Sequence, residues 1–128
     1  MEKEVQLPEA QLEVMQVIWD KGGRVMFGAL GEELEARGKA WKANTVLTLL
    51  ARLTDRGMVS VMKRGRLNEY IAQVSREEYQ QIQARLLVDR VFGGDTKHLL
   101  SALVSQEYLT EEDYDELKAF WEKGDGGA

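Results

Sequence analysis

The chain has 128 residues and a formal net charge of −5, with 44 % hydrophobic and 30 % charged residues, which suits one small domain with or without a packed appendage. The absence of Cys excludes disulfides, thiolate metal sites and a Cys nucleophile, and a single His offers no partner for a His-based metal set. No apolar run approaches the roughly 20 residues of a bilayer span, and Met1-Glu2-Lys3-Glu4 lacks the basic start of a signal peptide, so a cytoplasmic protein with no membrane contact is expected.

Leu7-Pro8 opens the first predicted helix, with Pro at the first helical position, where its missing N–H is no loss. Leu12, Met15, Ile18 and Trp19 recur at helical spacing until Gly22-Gly23 stops the run. Val25-Met26-Phe27 reads as one brief strand. A second helix over residues 29–36 buries Leu30 and Leu34 and breaks at Gly38. The third helix spans residues 43–56, with Val46, Leu49, Leu50 and Leu53 as its apolar stripe, and ends at Gly57. The period then changes. Val59, Val61, Leu67, Tyr70 and Ile71 flank Lys63-Arg64-Gly65-Arg66, a pattern of β-branched and aromatic residues around a basic turn that predicts a hairpin.

From Ser75 the pattern is helical again. Ser75 and Glu78 have capping-box spacing, and Tyr79, Ile82, Leu86, Val91 and Phe92 follow before Gly93-Gly94. Asp95 or Thr96 caps a further helix carrying Leu99, Leu100, Leu103 and Val104. Thr110 with Asp113 starts the last one, which carries Tyr114, Leu117, Phe120 and Trp121. Three helices and a hairpin are the order of a winged helix-turn-helix. The expected fold class is therefore mainly α: a winged-helix domain at residues 1–74, a helical region at 75–123 and a flexible tail at 124–128.

Charge is segregated along this plan. Residues 1–74 hold 11 Lys and Arg against 10 Asp and Glu, whereas residues 75–128 hold 6 against 12. Within residues 37–66, Arg37, Lys39, Lys42, Arg52, Arg56, Lys63, Arg64 and Arg66 face Asp55 alone. With its apolar stripe on the core, the third helix presents Asn44, Thr45, Thr48, Arg52 and Arg56 on the opposite surface, Lys42 standing just before it. Small hydroxyls and an amide let a helix enter the major groove closely, and Arg52 or Arg56 has the reach for a guanine edge or a phosphate. Lys63, Arg64 and Arg66 make a cationic tip suited to backbone phosphate. Taken singly, each is equally an ordinary solvated surface; at winged-helix spacing the two together point to double-stranded DNA.

Other candidates read as structural. Trp19 belongs to a core face, and Trp41 staples the entry to the third helix. His98 has no nucleophile or second ligand beside it. The acidic run Glu111, Glu112, Asp113, Asp115 and Glu116 suits the dipole of its own helix N-terminus, and Gly93-Gly94 lacks the Lys-Ser/Thr of a phosphate loop. No catalytic, metal or cofactor site is expected. The C-terminal helices carry more apolar residues than a domain of about 70 residues can cover, so Leu86, Leu99, Leu100, Leu103, Leu117, Phe120 and Trp121 are expected to pair with a second chain; packing within one chain is the alternative.

The stretch Leu12-Glu13-Val14-Met15-Gln16-Val17-Ile18-Trp19, then Thr45-Val46-Leu47-Thr48-Leu49-Leu50-Ala51-Arg52-Leu53, then Gly57 and the 63–66 tip through Tyr70, resembles the penicillinase-repressor (BlaI/MecI) family. The resemblance runs over residues 7–117 and implies a homodimeric repressor that binds palindromic operators and silences resistance or copper-handling genes. It implies recognition by residues 43–56 and a wing at 63–66. Three departures stand out. Lys42-Ala43 replaces the Ser-Pro that family members often carry, and Ala102-Leu103 stands where the penicillinase repressors are cut at Asn-Phe. The Cys-rich tail of the copper-responsive branch is absent. An unidentified inducer or protease is left as the partner that would relieve repression. The rival reading is a winged-helix protein-interaction module whose basic wing docks an acidic partner.

Overall fold

The computed structural model describes residues 6–123, in which six helices and three strands follow one another. α1 (Glu9–Asp20), β1 (Arg24–Met26), α2 (Phe27–Ala36) and α3 (Ala43–Asp55) precede a hairpin of β2 (Val59–Arg64) and β3 (Leu67–Ala72). α4 (Arg76–Val91), α5 (Thr96–Ser105) and α6 (Glu111–Glu122) complete the order. The chain divides into two compact units, one up to Ala84 and one from Arg85 onward. The expected tail at 124–128 lies outside the described residues.

α1 is the centre of the first unit. Pro8 is its N-cap, with an extended ψ of 154°, so the helix starts one residue later than its sequence suggests, and the Pro8 carbonyl accepts the Leu12 N–H at 2.9 Å. Val14, Met15, Val17 and Ile18 are all fully buried, a wider apolar face than the single stripe of the sequence pattern, because α2, α3, β1 and β3 all pack against α1. Leu12 and Trp19 are half-buried at the edge of that face.

α2 begins at Phe27, two residues before the expected start, and takes Met26 as its N-cap. The Phe27 ring lies tilted on Tyr70 with centroids 6.4 Å apart. That tertiary contact draws Phe27 into the helix although its local sequence reads as strand. α3 buries Val46, Leu49, Leu50 and Leu53 as the spacing predicts. It ends one residue earlier than expected, with Arg56 as C-cap. The Gly57 N–H donates to the Thr54 carbonyl at 3.0 Å and the Met58 N–H to Leu53 at 2.9 Å. This is a Schellman end, and φ of +79° at Gly57 is the left-handed conformation it needs. Met58 is thereby buried, and the chain turns straight into the hairpin.

The sheet is antiparallel in the order β1-β3-β2. Arg64 pairs with Leu67, so the turn is only Gly65-Arg66, with Gly65 at φ +65°, the first-position glycine of a type II′ hairpin. Lys63 and Arg64, expected in the turn, are the last two residues of β2 instead. Strand parity then puts them on opposite faces of the sheet.

Two aromatic residues tie the start of α4 to this domain. The Tyr79 hydroxyl accepts the Leu7 N–H at 2.9 Å, and the Trp19 Nε1–H donates to the Val74 carbonyl at 2.9 Å. Ser75 and Glu78 form the expected capping box, at 2.9 and 3.0 Å.

In the second unit Asp95 caps α5 through the Lys97 and His98 N–H groups, and Thr110 with Asp113 forms a second capping box on α6. Neither α5 nor α6 contains a buried residue.

Candidate nucleic-acid interface

Four side chains on the outer surface of α3 follow from its packing. With Val46, Leu49, Leu50 and Leu53 inward, Asn44, Thr45, Thr48 and Arg52 are exposed, as their spacing requires. The Thr48 Oγ1–H donates to the Asn44 carbonyl one turn back at 2.9 Å, which fixes its rotamer and leaves the hydroxyl lone pairs outward. Lys42 is the exposed N-cap of α3 and makes no side-chain cap bond, and Arg56 is half-buried at its C-cap.

Ion pairing thins the basic window unevenly. Arg37 is held by Glu33 at 2.9 Å and Asp20 at 2.7 Å, Lys39 lies 3.6 Å from Glu13, and Arg64 is held by Glu69 at 2.9 Å. Those three cations are answered within the domain. Lys42, Arg52, Arg56, Lys63 and Arg66 have no ion-pair partner among the described residues. Three of the five belong to α3 and its two caps, and two to the hairpin tip. What remains is a smaller positive charge than the window of eight suggests, concentrated on the two expected elements.

The neutralising pairs do structural work instead. Hydrogen bonds from Arg76 and then Arg37 hold the Asp20 carboxyl below the usual aspartate range. Arg37 does the same to Glu33. Arg76 also lies over the Trp19 ring, 5.6 Å from its centroid, and Trp19 in turn packs at 5.7 Å on Tyr79. Trp19 and Trp41 are thus both half-buried against the core.

Sequence reasoning missed three residues near this interface. Leu47 on α3 is 43 % exposed although it adjoins the apolar stripe. Arg24 and Glu69 stand beside Arg64 on the sheet, with Arg24 3.7 Å from the Glu69 carboxylate. Given the hairpin register, strand parity alone places Glu69 on the same face as Arg64; what the linear sequence lacked was the register.

The remaining candidates are dispersed. His98 is exposed on α5, 3.9 Å from Asp95. Asp113 is engaged by its capping box, whose Thr110 N–H lowers its carboxyl below the ordinary range. No group of three or more His, Asp or Glu stands close enough to hold a metal ion among the described residues, and no described helix is long and apolar enough to cross a membrane. Of the residues expected to pair with a second chain, Leu86, Leu99 and Leu103 are half-buried and Leu100, Leu117, Phe120 and Trp121 are exposed.

Comparison with known proteins bears on the family and the fold. The family model described as "Penicillinase repressor" matches residues 7–123. A penicillinase repressor of Bacillus licheniformis is 27 % identical over 117 residues, covering 91 % of this chain and 90 % of that one. The methicillin resistance regulatory protein MecI of Staphylococcus aureus (strain N315) is 25 % identical over 116 residues, covering 91 % and 93 %. Among solved structures, the DNA binding domain of the repressor BlaI matches with a TM-score of 0.52 at 33 % identity, covering 62 % of this chain and 94 % of that domain.

Proposed function

The chain belongs to the penicillinase repressor family, and we propose that it silences its target genes as a homodimer seated on an inverted-repeat operator. It is a winged-helix transcriptional repressor, and its family is one of regulators, not enzymes. Residues 1–74 are the DNA-binding domain in this reading and residues 75–123 the dimerisation region. Asn44, Thr45, Thr48 and Arg52 on α3 read base edges, with Leu47 beside them as an apolar surface for a thymine methyl. Lys42, Arg56, Lys63, Arg64 and Arg66 hold phosphate and set the register without carrying sequence information. Genes of antibiotic resistance are the proposed targets, after the relatives' names.

The observation that carries the reading is which cations of residues 37–66 stay unanswered: five of the eight, three on α3 and its caps and two at the wing tip, in a chain of net charge −5. Each phosphate contact releases counterion, so log affinity should fall against log salt by about 0.9 per contact made. Affinity that ignores salt between about 50 and 200 mM would contradict the reading. Sequencing the genomic DNA that co-purifies with the protein would identify the operator and test its palindromic form.

Relief of repression is proposed to use some route other than cutting at Ala102-Leu103. That bond lies inside α5, both residues are half-buried, and a protease needs an extended, accessible segment.

A further inference from the structure

On one face of the sheet, three charged side chains stand on three different strands. Glu69 of β3 is paired in register with Met26 on β1 and Met62 on β2. Arg24 and Arg64 lie two residues from those partners, so both project from the face that carries Glu69 and approach it from opposite ends. The Glu69 side chain is only 13 % exposed, whereas Arg24 and Arg64 keep 55 % and 50 % of theirs in solvent. The carboxylate is thus roofed by two guanidinium groups that remain open on their outer sides.

The Arg64 Nε–H donates to Glu69 Oε1 at 2.9 Å. A guanidinium carries five N–H donors in one plane, so a carboxylate held at Nε fixes that plane and leaves the terminal amino groups for another acceptor. Among the described residues those terminal groups have no recorded partner. We infer that Glu69 is a positioning residue, which holds the Arg64 guanidinium ready to grip a DNA phosphate; this rests on the reading of Arg64 as a wing contact. Arg24 serves by offsetting the Glu69 charge and confining it, at 3.7 Å from the same oxygen.

This role makes a prediction opposite in sign to simple charge counting. Removing an anion beside a phosphate-binding surface should tighten DNA binding if Coulomb attraction alone mattered. If Glu69 orients Arg64, its loss instead frees a long side chain that must be ordered again on binding. The full-length chain is titrated against a random-sequence duplex, since a phosphate contact needs no operator, and folding of each variant is checked by thermal unfolding.

Glu69→Ala is expected to weaken binding about three- to tenfold. Glu69→Gln keeps an oxygen to accept the Arg64 Nε–H and should recover most of that loss. In an Arg64→Ala background, Glu69→Ala should no longer weaken binding. Binding that is unchanged or tighter in Glu69→Ala would overturn the inference, as would a loss of equal size that persists without Arg64. If Arg64→Ala itself binds like the wild type, the inference falls together with Arg64 as a wing contact, while base reading by α3 stands or falls on its own variants.

Discussion

Thr48 and Arg52 stand one turn apart on α3, both exposed, whereas Lys63 and Arg66 flank a glycine at the end of a hairpin. The difference in placement predicts a difference in consequence. Thr48→Ala and Arg52→Ala should relax the preference for particular bases, by about 1–3 kcal/mol where a bidentate contact is lost. Lys63→Ala and Arg66→Ala should weaken operator and random DNA alike, each lowering the salt slope by about 1. Equal losses on both kinds of DNA in all four variants would count against α3 as the reading helix. Leu47 adds a subtler expectation: replacing operator thymines by uracils removes the methyl groups it would touch, and Leu47→Ala should abolish the sensitivity at one position. The polar face of α3 was legible in the sequence because helical period alone defines it. The pairing of Arg37, Lys39 and Arg64 was not, since each answering carboxylate but Glu33 lies on another element, Asp20 being 17 residues from Arg37.

Local signals at the scale of single elements were read with uneven success, for a common physical reason. Capping boxes at Ser75-Glu78 and Thr110-Asp113 formed as spelled, because each is closed by residues three apart. The start of α2 was misplaced because Phe27 is recruited by Tyr70, far along the chain. Thr110→Ala should therefore loosen α6 by about 1 kcal/mol in urea unfolding, with little effect on the winged helix. The brace between α1 and the start of α4 yields a pH prediction. Arg76 and then Arg37 hold the Asp20 carboxyl below its ordinary range, so it is ionised more readily folded than unfolded. Its contribution to stability is present above the unfolded value, near pH 4, and is lost as pH falls through the lower folded value. Asp20→Asn should thus be less stable than the wild type at neutral pH, and the gap should close on acidification. A gap that stays constant from neutral pH to pH 3 would show that the carboxylate's charge is not what the brace uses.

At the scale of the whole molecule, the apolar surface is distributed in a way one chain does not explain. The first unit closes a core around α1, with Met15, Ile18, Leu30, Leu50 and Leu53 sealed from solvent. By contrast α5 and α6 contain no buried residue, while Val104, Leu117, Phe120 and Trp121 are each more than half exposed. Leaving large aromatic and aliphatic side chains in water forgoes roughly 1.5–3 kcal/mol apiece, a cost a second copy of the same helices would remove. A repressor gains doubly from that pairing, because two recognition helices about one DNA turn apart, roughly 34 Å, engage both halves of an inverted repeat. Phe120→Glu with Leu117→Glu places charge on this surface and, since both positions are exposed, leaves the fold of one chain undisturbed. Sedimentation should then show monomers, and operator affinity should collapse toward that for a single half-site. The thermal transition of the winged-helix core should be preserved. A variant that stays dimeric would mean that these side chains are exposed in the assembled repressor too, and that the pairing surface lies elsewhere on the chain.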